Sequence, residues 1–356
     1  MRGVVFRGDR KLDILTFDDP VPGPDDAIIE MKASGLCGSD LKFYREGVHK
    51  TLRTLGFRDL VASGYQETDP IIAGHEPCGV VVEVGSNVDK KAFKPGDRVM
   101  VFHYEGCRYC PHCQTGWTQM CEHGSTLFGL NGHGGHADYM KVPVSSLVHL
   151  PDEISFTGGA AISCGIGTAY GALVRLDLSA RDTLAVFGLG PVGMSAVQFG
   201  AAMGARVIAV DIVADRVNRA AEFGASELID ASQHDPVEKI LALTGGKGAS
   251  RTMDCAGHSV ARQQAVRSAA RWGKVAFVGV SGDVTLNVTP DVILKQLTII
   301  GSHTFSIVGQ ADCARFVADH GVDLDKHYGR LWSLDEAEEA YRDLDSQSGS
   351  KTAIVF

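Results

Sequence analysis

The chain has 356 residues, enough for two domains with separate cores. Hydrophobic residues make up 44% and charged residues 22%, the balance of a soluble globular protein, and the formal net charge of −9 leaves no basic field for a nucleic-acid backbone or an anionic membrane. No apolar run reaches the ~18 residues of a membrane span, and the start, MRGVVFRGDRKLDIL, lacks the basic, apolar, small-residue succession of a signal peptide. A cytoplasmic address with reduced thiols is expected, so the nine cysteines argue for metal rather than disulfides.

In chain order, the first 150 residues read as short strands between turns, with β-branched apolar runs at Ala27–Met31, Gly79–Val84 and Arg98–Phe102 punctuated by glycine and proline. A compact, barrel-like β region is predicted. After about Ile166 the pattern changes to strand–helix alternation: Leu184–Phe187 then Pro191–Met203, Val207–Val210 then Ala214–Phe223, and Thr252–Asp254 then Ser259–Arg271. Val275–Val280 and Leu297–Ile300 close the series, which predicts a doubly wound parallel sheet. The tail offers helices near Gln310–Ala318 and Leu334–Leu344 and a final strand at Thr352–Phe356.

The strand Leu184–Phe187 runs directly into Gly188-Leu189-Gly190-Pro191-Val192-Gly193 and a helix. Glycines at these positions allow a tight turn and close approach of backbone amides to a pyrophosphate, while the helix N-terminus supplies unpaired N–H groups. The next strand ends in Asp211, eighteen residues after Gly193. A carboxylate there accepts hydrogen bonds from the adenosine ribose and repels a 2′-phosphate, which favours NAD over NADP; Arg216, close by, pulls the other way.

Cys107-x2-Cys110-x2-Cys113-x7-Cys121 places four thiols in one short loop, the spacing of a closed structural zinc site, with a reactive thiol cluster or an iron–sulfur site as alternatives. His103, His112 and His123 lie near enough to stand in for a thiolate. Other donors are scattered: Cys37 in GLCGSD, His75 and Glu76 in GHE, and Cys164 in SCGIGT. Two cysteines, a histidine and an exchangeable position suit a catalytic zinc, yet spacing alone does not single these residues out. A lone cysteine is more often a small core residue, and a lone histidine a structural one.

The GLCGSD, GHEPCGVVVEVG, PGDRV, four-cysteine and GLGPVG elements, in this order, resemble the medium-chain zinc alcohol dehydrogenase family over nearly the whole chain. The resemblance implies a GroES-like β-barrel catalytic domain (residues 1–165 plus 302–356) into which an α/β Rossmann domain (166–301) is inserted. It implies one catalytic zinc held by Cys37, His75 and Cys164, with Glu76 able to enter the shell, and one structural zinc on the four-cysteine loop. Asp40 would orient His75, and Ser39 would touch the substrate oxygen and pass its proton outward. Thr168 and the Val278-Gly279-Val280 stretch would contact the nicotinamide side, and Lys351 matches a basic position near the pyrophosphate. A small-molecule alcohol or carbonyl substrate, hydride exchange with NAD, and a homodimer or homotetramer are the corresponding expectations.

Two departures stand out. Lys42 occupies the position where many members carry a histidine that completes the proton relay; His49 either replaces it or is a loop residue. The segment from Glu46 to Pro70 is long for this family and reads as a candidate substrate lid, its Arg53 and Arg58 either binding an acidic group or simply solvated. A zinc-independent quinone or enone reductase of the same fold, and a non-enzymatic nucleotide-binding protein, remain as rival readings.

Overall fold

Strand Asp26–Leu36 is buried along most of its eleven residues because neighbours cover both of its faces. It pairs antiparallel with Glu76–Val84, with Tyr139–Pro143 and with the C-terminal strand Lys351–Val355. These belong to a seven-stranded sheet that also contains Arg98–Val101, Leu147–His149 and Tyr328–Trp332. Ile29, Met31, Val81, Val99, Val101 and Met140 fill its core. The computed structural model describes residues 1–48, 50–51, 70–346 and 349–356. The chain divides into two compact units, Met1–Cys164 with Ser306–Phe356, and Gly165–Phe305. The first contains this seven-stranded sheet and the second a six-stranded parallel sheet.

In the second unit six strands lie parallel in the order Glu227–Asp230, Arg206–Asp211, Thr183–Phe187, Ala249–Asp254, Ala269–Phe277, Thr298–Gly301. The order reverses at Thr183–Phe187, the topological switch point where ligands of doubly wound sheets bind outside the carboxyl ends of the strands. Phe187, Ile208, Val210, Ile240, Val266 and Val275 are buried between sheet and helices. Each contributes about 1.5–3 kcal/mol by leaving water.

Among the boundaries that differ from the pattern-based expectation, two have a direct cause in strand pairing and turn hydrogen bonds. The helix expected to reach Arg271 is Ser259–Ser268, because Ala269 is extended and pairs with Ala249 at the start of the next strand. That strand then ends at Phe277 instead of Val280: the amides of Val278 and Gly279 both donate to the carbonyl of Asp254, at 2.9 and 3.0 Å, and turn the chain away. Helices Gly165–Arg175 and Pro236–Leu243 were not legible from periodicity. The second is short but well started, with the Asp235 carboxylate accepting from the amides of Val237 and Glu238.

The C-terminal helix Ala337–Asp345 is tied down at its end. Arg10 Nε donates to Asp345 at 2.8 Å and Arg45 Nε at 2.6 Å. Burial alone would raise the Asp345 carboxyl, but the two guanidiniums outweigh it and hold it below the usual aspartate range. A lowered folded value means stability that is present above the unfolded pKa of about 3.9 and lost as pH falls through the folded one. Asp345→Asn is therefore expected to lower the melting temperature at pH 7 and to flatten the loss of stability below about pH 4. Parallel acid limbs for wild type and variant in thermal scans would contradict this.

Candidate active site and metal centres

The register of the central sheet determines which side chains meet. Strand Asp26–Leu36 delivers Cys37 at its end, just before helix Asp40–Glu46. Gly35 is opposite Glu76, and Leu36 is opposite Thr352, so His75-Glu76 and Lys351 arrive from either side. Cys164 follows helix Phe156–Ile162, started by Ser155 accepting from the amide of Gly158 at 2.9 Å. One donor atom from each of Cys37, His75, Glu76 and Cys164 lies within 4.8 Å of the others. The four come from three sequence regions.

Charge is organised around this cluster. The Asp40 carboxylate is buried; Oδ1 lies 2.8 Å from His75 Nδ1, close but poorly aligned as a hydrogen bond, and Oδ2 accepts from the Cys37 amide at 2.9 Å. Burial would lower the His75 pKa, yet Asp40 and then Cys37 outweigh it and raise it well above the usual value. The hydrogen bond with Cys164 is the largest influence holding the Cys37 thiol well below its ordinary range, and Cys164 is correspondingly raised. Burial pushes the Glu76 carboxyl upward, while the Lys351 ammonium bonded to it pulls the other way and favours the ionised form. Ser39 Oγ sits 3.3 Å from His75 Nε2, the ring nitrogen away from Asp40. Two thiols and an imidazole are a fitting donor set for zinc, with the fourth position taken by Glu76 or by an exchangeable ligand.

The sulfurs of Cys107, Cys110, Cys113 and Cys121 likewise lie within 4.8 Å of one another. Amides of Cys107 and His123 point at Cys121 Sγ at 3.3 and 3.4 Å, and the Cys110 amide at Cys107 Sγ at 3.3 Å. Such N–H···S contacts stabilise thiolates. Hydrogen bonds from the backbone of Cys113 and Glu122 bring Cys110 down to about 6, while burial takes Cys113 up to about 12. The loop contains only one short helix, Pro111–Gln114, and a 3-10 turn, so cross-linking by a metal supplies what its small core does not.

At the switch point of the parallel sheet, Gly188 has φ +88° and Gly190 caps helix Pro191–Ala202 with no side-chain hydrogen bond to its first turn. A Cβ on Gly193 would sit 1.8 Å from the Gly188 carbonyl oxygen, so the loop closes only with glycine there. Asp211 is buried at the end of the adjacent strand, its Oδ2 accepting from the Leu189 amide at 2.5 Å and its Oδ1 from Val213 at 2.9 Å. Val192 follows in the first turn of the helix, Arg216 lies on helix Ala214–Arg219, Thr168 is buried on helix Gly165–Arg175, Val278 is buried, and Val280 is 55% exposed.

The alcohol dehydrogenase GroES-like domain family matches residues 23–152, and the zinc-binding dehydrogenase family matches residues 191–319. The chain is 35% identical to the uncharacterized zinc-type alcohol dehydrogenase-like protein YphC of Escherichia coli (strain K12), over 100% of this chain and 99% of that protein. It belongs to the medium-chain zinc alcohol dehydrogenase family. It is 31% identical to the sorbitol dehydrogenase of Bacillus subtilis (strain 168), over 96% of this chain and 92% of that one. The alcohol dehydrogenase TADH from Thermus sp. ATN1 superposes with a TM-score of 0.88 at 26% identity, covering 100% of this chain and 99% of that chain. The protein is thus a zinc-containing dehydrogenase whose cofactors are zinc and a nicotinamide dinucleotide.

One expectation for this dehydrogenase is corrected by the geometry. Lys351, expected near a pyrophosphate, has a side chain only 2% exposed; its Nζ is bonded to Glu76 Oε2 and lies 3.4 Å from the Leu36 carbonyl. The strand pairing of Thr352 with Leu36 points it inward, behind the metal cluster. His103, near enough in sequence to stand in for a ligand of the cysteine loop, packs edge-on against His75 with ring centroids 5.2 Å apart, and its Nδ1 is 2.8 Å from the Ser163 carbonyl, next to Cys164. Neither role carries a local motif; only contact across the sheet reveals it. Lys42 lies half-buried on helix Asp40–Glu46. His49 and most of the expected lid, residues 52–69 with Arg53 and Arg58, lie outside the described residues.

Proposed function

We propose that this dehydrogenase oxidises a secondary alcohol, polyol or amino alcohol with NAD, or runs the reverse reduction, at the cluster of Cys37, His75 and Cys164. The observation that carries the reading is the convergence of these three donors with Asp40 and Ser39 in one buried site. Likeness to a sorbitol dehydrogenase supports the choice of hydroxylated substrates. Zinc, when bound, supplies a Lewis acid that polarises the substrate oxygen. The chain's own residues do the rest. Cys37, His75 and Cys164 hold the metal, and Asp40 fixes the imidazole through Nδ1. Ser39 Oγ, beside His75 Nε2, accepts the proton of the substrate hydroxyl while releasing its own to solvent water. Lys351 neutralises Glu76, so the carboxylate stands next to the metal shell without adding a third negative charge to the two thiolates.

The cysteine loop holds the structural zinc, and the turn from Gly188 to Gly193 with the following helix start receives the dinucleotide pyrophosphate. In this reading Thr168, Val278 and Val280 contact the nicotinamide side of the cofactor. Asp211, oriented by the Leu189 and Val213 amides, presents its remaining lone pairs to the adenosine ribose. Asp211→Ala is expected to narrow the NAD over NADP preference in kcat/KM by roughly tenfold or more, the loss of one or two charge-assisted hydrogen bonds. An unchanged ratio would remove Asp211 from ribose recognition.

A homodimer through the edge strand Thr298–Gly301 fits the same picture. Among the described residues that strand is paired on one side alone, and Trp272, Val288, Ile293 and Leu294 expose 54–76% of their surface in the same unit. Light scattering that finds a monomer would contradict it. The reaction itself is tested by NADH absorbance with a panel of secondary alcohols, polyols and amino alcohols. Turnover of at least one supports the proposal; reduction of enones alone, undiminished in a zinc-free preparation, overturns it.

A further inference from the structure

Beside Asp40 the structure contains three buried polar groups that the proposed reaction does not use. Ser34, His136 and Tyr341 are each fully buried and come from three separate segments: the central strand that leads to Cys37, the loop before strand Tyr139–Pro143, and the C-terminal helix Ala337–Asp345. Ser34 Oγ lies 2.7 Å from His136 Nδ1, His136 Nε2 lies 2.7 Å from the Tyr341 hydroxyl, and that hydroxyl donates to Asp40 Oδ2 at 3.4 Å, the longest link.

The donor inventory permits one direction only. A carboxylate accepts and cannot donate, so the Tyr341 proton is committed to Asp40 and its oxygen must accept from His136. His136 Nε2 therefore carries the hydrogen. Burial drives the His136 pKa down to about 4, so the ring is neutral and has a single N–H. Nδ1 is then an acceptor, and Ser34 donates into it. At the other end Asp40 Oδ1 faces His75 Nδ1, which must carry its own hydrogen to meet a carboxylate. In the neutral form that a metal ligand must adopt, the ring then has its Nε2 lone pair facing the cluster of cysteines.

We propose that Ser34, His136 and Tyr341 form a one-directional hydrogen-bond chain that ends on Asp40 and holds His75 in the tautomer and orientation that present Nε2 to the metal. Tyr341 and His136 are thus positioning residues for the open metal site, a role that rests on the metal assignment made above. Two packing observations agree. Gly74, immediately before His75, has φ +92°, and a Cβ there would fall 2.4 Å from His136 Nδ1, so the His136 ring is seated on the backbone that carries the ligand. The Tyr341 ring packs edge-on against Phe6 with centroids 4.9 Å apart, a contact phenylalanine would make equally well. The hydroxyl is the part that packing leaves unexplained. In a buried, low-dielectric interior each link of such a chain strengthens and constrains the next.

Tyr341→Phe separates the two roles because it removes the hydroxyl and keeps the ring. In the full-length, zinc-loaded protein, stepwise competition with a chromophoric zinc chelator distinguishes the open site from the four-cysteine site. The variant is expected to bind the open-site zinc about tenfold more weakly, as other partners of ligating histidines do. The four-cysteine zinc should be unmoved. With cobalt in the open site, its visible d–d bands should shift. Ser34→Ala should weaken the open site in the same direction by a smaller factor, and it decides the matter if Tyr341→Phe fails to fold. Wild-type affinity and an unchanged cobalt spectrum in the folded variants overturn the proposal. A wild-type chain that holds one zinc, retained in Cys37→Ser, instead sinks the metal assignment and leaves the chain nothing to orient.

Discussion

His75→Ala and Cys37→Ser are each expected to lower kcat/KM for alcohol oxidation by about a thousandfold or more. The metal is asked to supply several kcal/mol of charge stabilisation at the substrate oxygen, and each 1.36 kcal/mol is a factor of ten. Both residues are held in the cluster with Glu76 and Cys164, so losing either leaves two strong donors and one carboxylate already bound to Lys351. Both lie in the Met1–Cys164 part of the catalytic unit, whereas the glycine loop belongs to the Gly165–Phe305 unit. NADH binding, read by fluorescence titration, should therefore survive. Metal analysis should show one zinc lost and the four-cysteine zinc kept. Near-normal turnover in either variant would place the chemistry elsewhere.

Lys351→Met is expected to be the most destabilising single change near the site. The ammonium and the Glu76 carboxylate are respectively 2% and 0% exposed at the side chain. Methionine fills most of the volume of the lysine stem but strands a buried carboxylate. Removing one partner of such a pair typically costs about 3–5 kcal/mol, whereas replacing both with neutral groups is often close to neutral. The double variant Lys351→Met with Glu76→Gln should accordingly recover most of the loss. Thermal unfolding of the single and double variants measures both quantities. If the single variant melts with wild type, the two side chains are not paired in solution. If Lys351 instead bound a pyrophosphate, its loss would weaken NADH binding more than stability.

Much of this dehydrogenase is written in contiguous stretches. The four-cysteine loop is readable because all four ligands fall within one short segment, and chain connectivity alone keeps their sulfurs close. The dinucleotide turn is readable for the same reason: strand, glycines, helix start and the following strand with Asp211 are consecutive, and the parallel pairing of Thr183–Phe187 with Arg206–Asp211 is the default for a strand–helix–strand unit. The strand–helix alternation gave the fold class, although edges such as Ser268 and Phe277 were decided by pairing across the sheet.

The open cluster was different. Nothing in the spacing of Cys37, His75 and Cys164 distinguishes them from core cysteines and a structural histidine; resemblance singled them out, and only the antiparallel register of Asp26–Leu36 with Glu76–Val84 brings the first two together.

By itself, then, the sequence determined the short-range devices: a thiolate loop, a phosphate turn and the alternation that builds a parallel sheet. The tertiary structure decided what no local pattern encodes. It turned Lys351 inward onto Glu76, set His103 against His75, and carried Tyr341 from the C-terminal helix to Asp40. The reason is the range of the interaction. Local motifs are fixed by a few backbone dihedrals, whereas a buried pair tens or hundreds of residues apart exists only after the sheet has closed around it.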